Sequence, residues 1–193
     1  QPGLVNEDFQ NELEKINMFY PPDPASKGSC TLGGNIALNA GGPKALKYGV
    51  TSNYVLNLEL VLPNGKIIWT GSNTLKNSTG YNLTQLLVGS EGTLGIITKA
   101  VVKFIPKPKN NLLLLIPFHN IAQSCELVSR IFVNGISPSC IEFMERSAIE
   151  LVRDMSFANI PFSIMENDQA YLLIELDGNN KDFLFKSAEK LYS

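Results

Sequence analysis

Glycine is spread unevenly along this chain of 193 residues: of its fifteen glycines, only Gly135 and Gly178 lie beyond Gly95. Glycine frees the backbone for positive φ and for close approach. The first half is therefore suited to tight turns and intimate backbone contacts, while the second must rely on ordinary helices and strands. The two meet at Ile105-Pro106-Lys107-Pro108-Lys109-Asn110-Asn111, a stiff polar connector. A boundary at residue 108 gives two expected domains, 1–108 and 109–193.

In the first region, Asn6 is expected to cap a helix over about 7–17, with Phe9, Leu13 and Ile16 at helical spacing. Pro21-Pro22-Asp23-Pro24 ends that helix and starts an extended segment. A glycine-rich stretch to Gly49 follows. Val55–Leu62 and Lys66–Thr70 then read as a hairpin around Pro63-Asn64-Gly65, with Asn57 and Glu59 facing away from the leucines. Asn82–Val88 is expected to be a short helix and Gly95–Ile105 one long strand. Beyond the connector, strands over Leu112–Phe118, Ser139–Met144 and Ala170–Leu176 alternate with helices over Asn120–Val133, Glu145–Met155 and Asp182–Tyr192. That order predicts an α+β layer with helices on one face of an unfinished sheet.

Hydrophobic residues make up 44% and charged residues 18%, so packed cores are expected. A formal net charge of -2 gives no basic face for nucleic acid. The longest apolar run, Leu112–Phe118, is too short to cross a membrane. Cys30, Cys125 and Cys140 are an odd set without close spacing, and His119 is the only histidine. Neither a disulfide framework nor a metal site is expected, and a reducing, cytoplasmic setting is the simplest reading. His119 reads as a surface or capping residue, and Glu142 and Glu175 as the polar side of a sheet. The chain opens at Gln1, without Met or a signal peptide, and so reads as an internal piece.

Two segments have the composition of a ligand site. Thr31-Leu32-Gly33-Gly34-Asn35-Ile36-Ala37-Leu38-Asn39-Ala40-Gly41-Gly42 interleaves glycine pairs with asparagines. Its backbone N–H groups suit an anion nest and its side chains a flat polar ring. An ordinary glycine-rich connection stays equally open. Gly89-Ser90-Glu91-Gly92-Thr93-Leu94-Gly95 runs into an apolar strand. Neither segment has the spacing of a dinucleotide fingerprint or a P-loop.

The ordered series Pro21–Ser26, Thr31–Gly42, Lys47–Thr51, Lys76–Tyr81, Val88–Thr98 and Pro106–Pro108 resembles the FAD-linked oxidases of the vanillyl-alcohol-oxidase/p-cresol-methylhydroxylase superfamily. The branch it is most similar to holds the flavin subunit of glycolate oxidase, D-lactate dehydrogenase and D-2-hydroxyglutarate dehydrogenase. Pro138–Met144 and Leu172–Gly178 resemble cap-domain segments of the same group. The resemblance implies that 1–108 is the second half of a PCMH-type FAD-binding domain and 109–193 the first part of a substrate cap. It implies FAD contacts from Pro22, Ser26, Thr31, Gly33, Gly34, Asn35, Asn39, Ala40 and Gly41, lining the ribityl chain, pyrophosphate and isoalloxazine. Further contacts would come from Glu91, Gly92, Thr93, Gly95, Ile96 and Ile97, with the Ile97 backbone near the adenine.

The implied activity is oxidation of a small 2-hydroxy acid, with electrons passing to a separate acceptor. The family's pyrophosphate loop and its C-terminal basic and histidine residues have no counterpart here. No catalytic residue is therefore assigned, and the segment alone is expected to be inert. The other readings are a non-catalytic flavin- or nucleotide-binding or scaffold module of the same fold, and a related superfamily member acting on a different substrate, such as a cell-wall precursor reductase.

Overall fold

A computed structural model describes residues 1–154, 162 and 164–191. The chain is α+β and forms two compact units, Gln1–Lys107 and Pro108–Ser193.

The first unit opens with helix α1 (Asn6–Glu14), whose apolar Phe9 and Leu13 pack with Tyr20, Leu32 and Tyr54. The helix is shorter than its periodicity suggests. Asn17 takes a left-handed φ of 57° and reverses the chain, leaving Ile16 exposed. Asn6 is not the cap. Val5 holds that position, and Asn6 is fully buried with Nδ2 donating to the Pro22 carbonyl at 3.2 Å. Gln10 Nε2 donates to the Tyr20 and Pro22 carbonyls. Prolines offer no N–H for a ladder, so polar side chains of α1 hold the extended segment instead. Strand β1 (Met18–Phe19) precedes that segment.

Helix α2 (Leu32–Leu38) runs directly through Gly33 and Gly34. Thr31 caps it, Oγ1 accepting from Gly34 N at 3.2 Å, and Asn39 closes it in the left-handed region. Two glycines weaken a helix by about 1 kcal/mol each, which the cap and the buried Leu32 and Ile36 offset. The requirement for glycine is room: a Cβ at Gly33 would stand 2.5 Å from Pro2 Cβ. Short α3 (Ala45–Tyr48) and a 3-10 turn (Thr51–Asn53) lead to the sheet.

Strand β2 (Val55–Val61) lies between β3 (Ile67–Trp69) and β4 (Ile96–Val102), both antiparallel to it. Leu58 and Leu60 are fully buried under Ile36 of α2 and Leu87 of α4 (Leu83–Leu87). Asn82 caps α4 through its side chain. The expected long strand over Gly95–Ile105 is two strands: β4 stays with β2, while β5 (Ile105–Pro106) pairs with β1.

Asn57 does not face solvent as the alternation suggests, because the β2–β4 register shifts between Val55 and Asn57. It is buried, and its Oδ1 accepts from Thr70 N and Gly71 N while Nδ2 donates to Asn73. Asn57→Leu is expected to destabilise the chain by about 1 kcal/mol, because it removes the acceptor that the Thr70 and Gly71 amides share; urea unfolding measures this.

In the second unit, β6 (Asn110–Phe118), β7 (Cys140–Glu145) and β8 (Ala170–Gly178) form an antiparallel sheet with β8 in the centre. One face packs Leu112, Leu114, Ile116, Leu172, Ile174 and Leu176 against α5 (Ile121–Val133) and α7 (Lys181–Glu189). Glu142 and Glu175 project from the other face, two register rows apart. Helix α6 (Arg146–Asp154) follows β7 directly. The expected ends of two helices, at Met155 and Tyr192, lie outside the described residues.

Candidate functional site

The two glycine segments converge in the first unit. Gly89 N donates to Ile36 O at 2.9 Å and Glu91 N to Ala37 O at 3.0 Å, which fastens the 89–95 loop to the end of α2. Glu91 accepts a left-handed φ of 51° in doing so. From the other side, the chain start is tied to the start of α2: Leu32 N donates to Leu4 O, Gly33 N to Pro2 O, and Val5 bridges Thr31.

Between these attachments lies a cavity of about 390 Å³. Thr31, Gly33 and Gly34 line it from α2, and Gly92, Gly95, Ile96 and Ile97 from the loop and β4. These are seven of the residues singled out in the sequence. Pro2, Gly3 and Ala37 complete the wall and were not anticipated. Ala37 follows Gly33 and Gly34 at helical spacing, a signal that is legible only once the stretch is read as a helix. No lining residue carries a charge.

The remaining expected contacts are placed differently. Asn35 is buried and does not line the cavity. Asn39 Oδ1 accepts from Ser52 N, and Ala40 O accepts from Thr51 N and Oγ1, so both brace the following turn. Pro22 O is taken by Asn6 and Gln10, and Ser26 O accepts in an exposed turn. Gly41 packs beside Val50, and Glu91 and Thr93 are exposed beside the cavity rather than lining it.

The expected anion nest at Gly33-Gly34 is not formed. The amides of Leu32, Gly33 and Gly34 already donate to Leu4 O, Pro2 O and Thr31 Oγ1. What the glycines provide is space. A Cβ on Gly34 would meet only Thr31 Oγ1, at 3.4 Å, and one on Gly92 nothing within 4 Å. Small, uncharged walls with two isoleucines suit part of a flat, largely apolar ring system, so the residues fit a portion of a flavin nucleotide.

A more polar cavity of about 780 Å³ lies in the second unit, lined by His119, Arg146, Glu150 and Asp168 among others. His119 is exposed, with Nδ1 3.1 Å from Asn167 O and 3.5 Å from Asp168 Oδ1; Asn120, not His119, caps α5. Asp168 is buried. The Tyr171 hydroxyl, donating at 2.7 Å, and the Met165 N–H hold its carboxyl below the usual aspartate range. A carboxyl held low stabilises fully above its unfolded pKa, near about 4, and loses that contribution as pH falls through the lower folded value. Urea midpoints should therefore fall on acidification below about pH 4, and Tyr171→Phe should flatten that limb while lowering stability by about 1–2 kcal/mol at neutral pH. Among the described residues, no group of three His, Cys, Asp or Glu side chains is arranged for a metal, and no helix is long and apolar enough to cross a membrane.

Comparison with known proteins agrees with the two-unit layout. Residues 1–71 match the FAD binding domain family and residues 107–193 the FAD linked oxidases, C-terminal domain. The chain is 46% identical over 178 residues to the glycolate oxidase subunit GlcD of Bacillus subtilis, covering 92% of this chain and 37% of that protein. It is 40% identical to a D-lactate dehydrogenase of Anaerostipes hadrus, covering 95% and 39%. It is 36% identical to the D-2-hydroxyglutarate--pyruvate transhydrogenase DLD3 of Saccharomyces cerevisiae, covering 93% and 36%. It thus spans well under half the length of these relatives. An alkyldihydroxyacetonephosphate synthase structure shares the fold, with a TM-score of 0.77 at 23% identity over 97% of this chain and 36% of that one. The chain belongs to the FAD-linked oxidases, its residues 1–71 matching their FAD binding domain and its residues 107–193 their C-terminal domain.

Proposed function

We propose that the protein to which this chain belongs is an FAD-dependent oxidoreductase that converts a small 2-hydroxy acid of the glycolate, D-lactate or D-2-hydroxyglutarate type to its 2-oxo acid. The observation that carries this reading is the convergence of both glycine segments on one uncharged cavity in the unit that matches a flavin-binding family. FAD, when bound, would supply the two-electron redox chemistry for this oxidation, with a separate acceptor as the partner that reoxidises it.

The residues of this chain bind and position. Gly33, Gly34, Gly92 and Gly95 admit the cofactor close to the backbone, and Ile96 and Ile97 form its apolar wall. Glu91 and Thr93 lie beside that wall, and Asn39 and Ala40 brace the turn that follows α2, while Pro22, Ser26, Asn35 and Gly41 do not line it. The first unit is read as the second half of the flavin domain and the second as the beginning of the substrate cap. The free cysteines Cys30, Cys125 and Cys140 support a reducing, cytoplasmic compartment.

The test is the flavin absorbance of the longest polypeptide containing this chain, recorded anaerobically with a panel of 2-hydroxy acids. Bleaching by one acid is the expected result and identifies the substrate. Bound flavin that no acid bleaches would leave a binding module, and the absence of flavin would overturn the cofactor assignment.

A further inference from the structure

At one end of the second unit's sheet, three elements meet around a single turn. Phe118 ends β6, Glu145 ends β7, and residues 165–169 lead into β8. Gln169 N donates to Phe118 O and Arg146 N to Gln169 O, so the main chain ties the turn to both neighbours. The Arg146 guanidinium reinforces one side: Nη1 donates to the carbonyls of Met165, Glu166 and Asp168, and Nε to Glu150. On the other side stands His119, directly after β6, with Nδ1 3.1 Å from Asn167 O.

Asp168 lies within this turn, and its two carboxylate oxygens are unequally served. Oδ2 accepts from the Tyr171 hydroxyl and from Met165 N. Oδ1 is sealed from solvent and has no hydrogen-bond partner among the described residues. A buried carboxylate left partly unpaired is costly. The nitrogen that approaches Oδ1 is His119 Nδ1, at 3.5 Å. That nitrogen faces two oxygens, Asn167 O and Asp168 Oδ1, so a lone pair there is disfavoured and the neutral ring carries its proton on Nδ1. Nε2 of this exposed side chain is then the nitrogen that takes up and releases a proton.

We propose that His119 and Asp168 form a proton-operated clasp on this turn: the imidazolium gives Oδ1 the counter-charge it lacks and holds the entry to β8 against the end of β6, and the neutral ring relaxes that hold. The other charged and titratable groups around the cavity do not substitute for the ring. Arg146 is committed to Glu150 and to main-chain carbonyls, and the Tyr171 hydroxyl to Oδ2. Glu145, Glu150 and Glu166 carry the same sign as Asp168, and α5 presents only Ile121 to the cavity. The Asp168 carboxyl, held low by the Tyr171 hydroxyl and the Met165 N–H, is ionised above about pH 4, while imidazoles exchange their proton between about pH 5 and 8. The pair is therefore complete from about pH 4 to 5 and is lost as pH rises towards about 8.

NMR of the 193-residue chain tests this, since His119 is its only histidine. Nitrogen spectra of the neutral ring should place the proton on Nδ1. Amide protection at Met165 and Gln169, corrected for the intrinsic effect of pH on exchange, should rise about threefold between about pH 7.5 and 5.5, the scale of a part-exposed ion pair. His119→Gln keeps a neutral donor at an exposed position and should leave protection flat over that range. Asp168→Asn should flatten it too, whereas Glu166→Gln should leave the rise in place. A profile in the parent chain that is flat, or that His119→Gln reproduces, would overturn the proposal, as would a neutral ring protonated on Nε2. A rise that survives Asp168→Asn, or that Glu166→Gln abolishes, would overturn it by assigning the ring's effect to another carboxylate. If Asp168→Asn does not fold, the comparison with His119→Gln decides the matter.

Discussion

Gly42→Ala is expected to destabilise the first unit by about 3 kcal/mol or more, whereas Gly41→Ala should shift it by only about 0.5 kcal/mol. The two glycines are adjacent, yet their surroundings differ. A Cβ on Gly42 would stand 2.2 Å from the Asp23 carbonyl oxygen and 2.4 Å from its carbon. Those atoms belong to the Pro22–Pro24 backbone, which Asn6 and Gln10 hold from the other side. Nothing there can swing aside as a flexible side chain would, so relief requires pulling the extended segment off α1. A Cβ on Gly41 would meet Val50 Cγ1 at 3.4 Å, close to ordinary contact with a side chain free to adjust. Urea midpoints of the two variants against the parent chain measure the difference. Equal effects would mean that the Asp23–Gly42 approach is not tight in solution.

That contrast marks what could be read in the sequence. Strands Leu112–Phe118 and Ala170–Leu176 and the helix after Asn120 were legible because their apolar periods are long and uninterrupted. The hairpin around Asn64-Gly65 was legible from turn chemistry. Helix α2 was not. Glycine at Gly33 and Gly34 argues against a helix locally, and the reason for both residues is spatial. Gly33 must clear Pro2, thirty-one residues earlier in the chain, and Gly34 borders the cavity. No local pattern carries that information. Asn6 and Asn57 failed for a related reason. An asparagine reads as a cap or an exposed polar residue until a distant backbone needs its donor or acceptor, as the Pro22 carbonyl and the Gly71 amide do. The glycine segments did locate the cavity, but by chemistry other than the expected nest. Their composition was visible in the sequence, while the strap at Leu4 and Pro2 that occupies the α2 amides was not.

Gly34→Leu should separate stability from cofactor binding. Position 34 is helical and exposed on α2, and an added Cβ meets only Thr31 Oγ1 at 3.4 Å. Leucine is the better helix former by close to about 1 kcal/mol, so the isolated chain should unfold at an equal or higher urea concentration. The same side chain projects from a residue that lines the cavity, beside Gly33 and across from Gly92 and Ile96. A branched four-carbon group there competes directly for the space that a flavin ring or its adenine would take. The longer polypeptide carrying Gly34→Leu should therefore retain flavin at least about tenfold less well, a loss of about 1.4 kcal/mol or more. Retained flavin is read from the absorbance ratio after gel filtration. A Gly34→Leu variant that is fully folded and still saturated with flavin would place the cofactor elsewhere, even though the chain's family would stand. A variant that loses both fold and flavin would show that α2 has no tolerance at this position, contrary to the open space beside it.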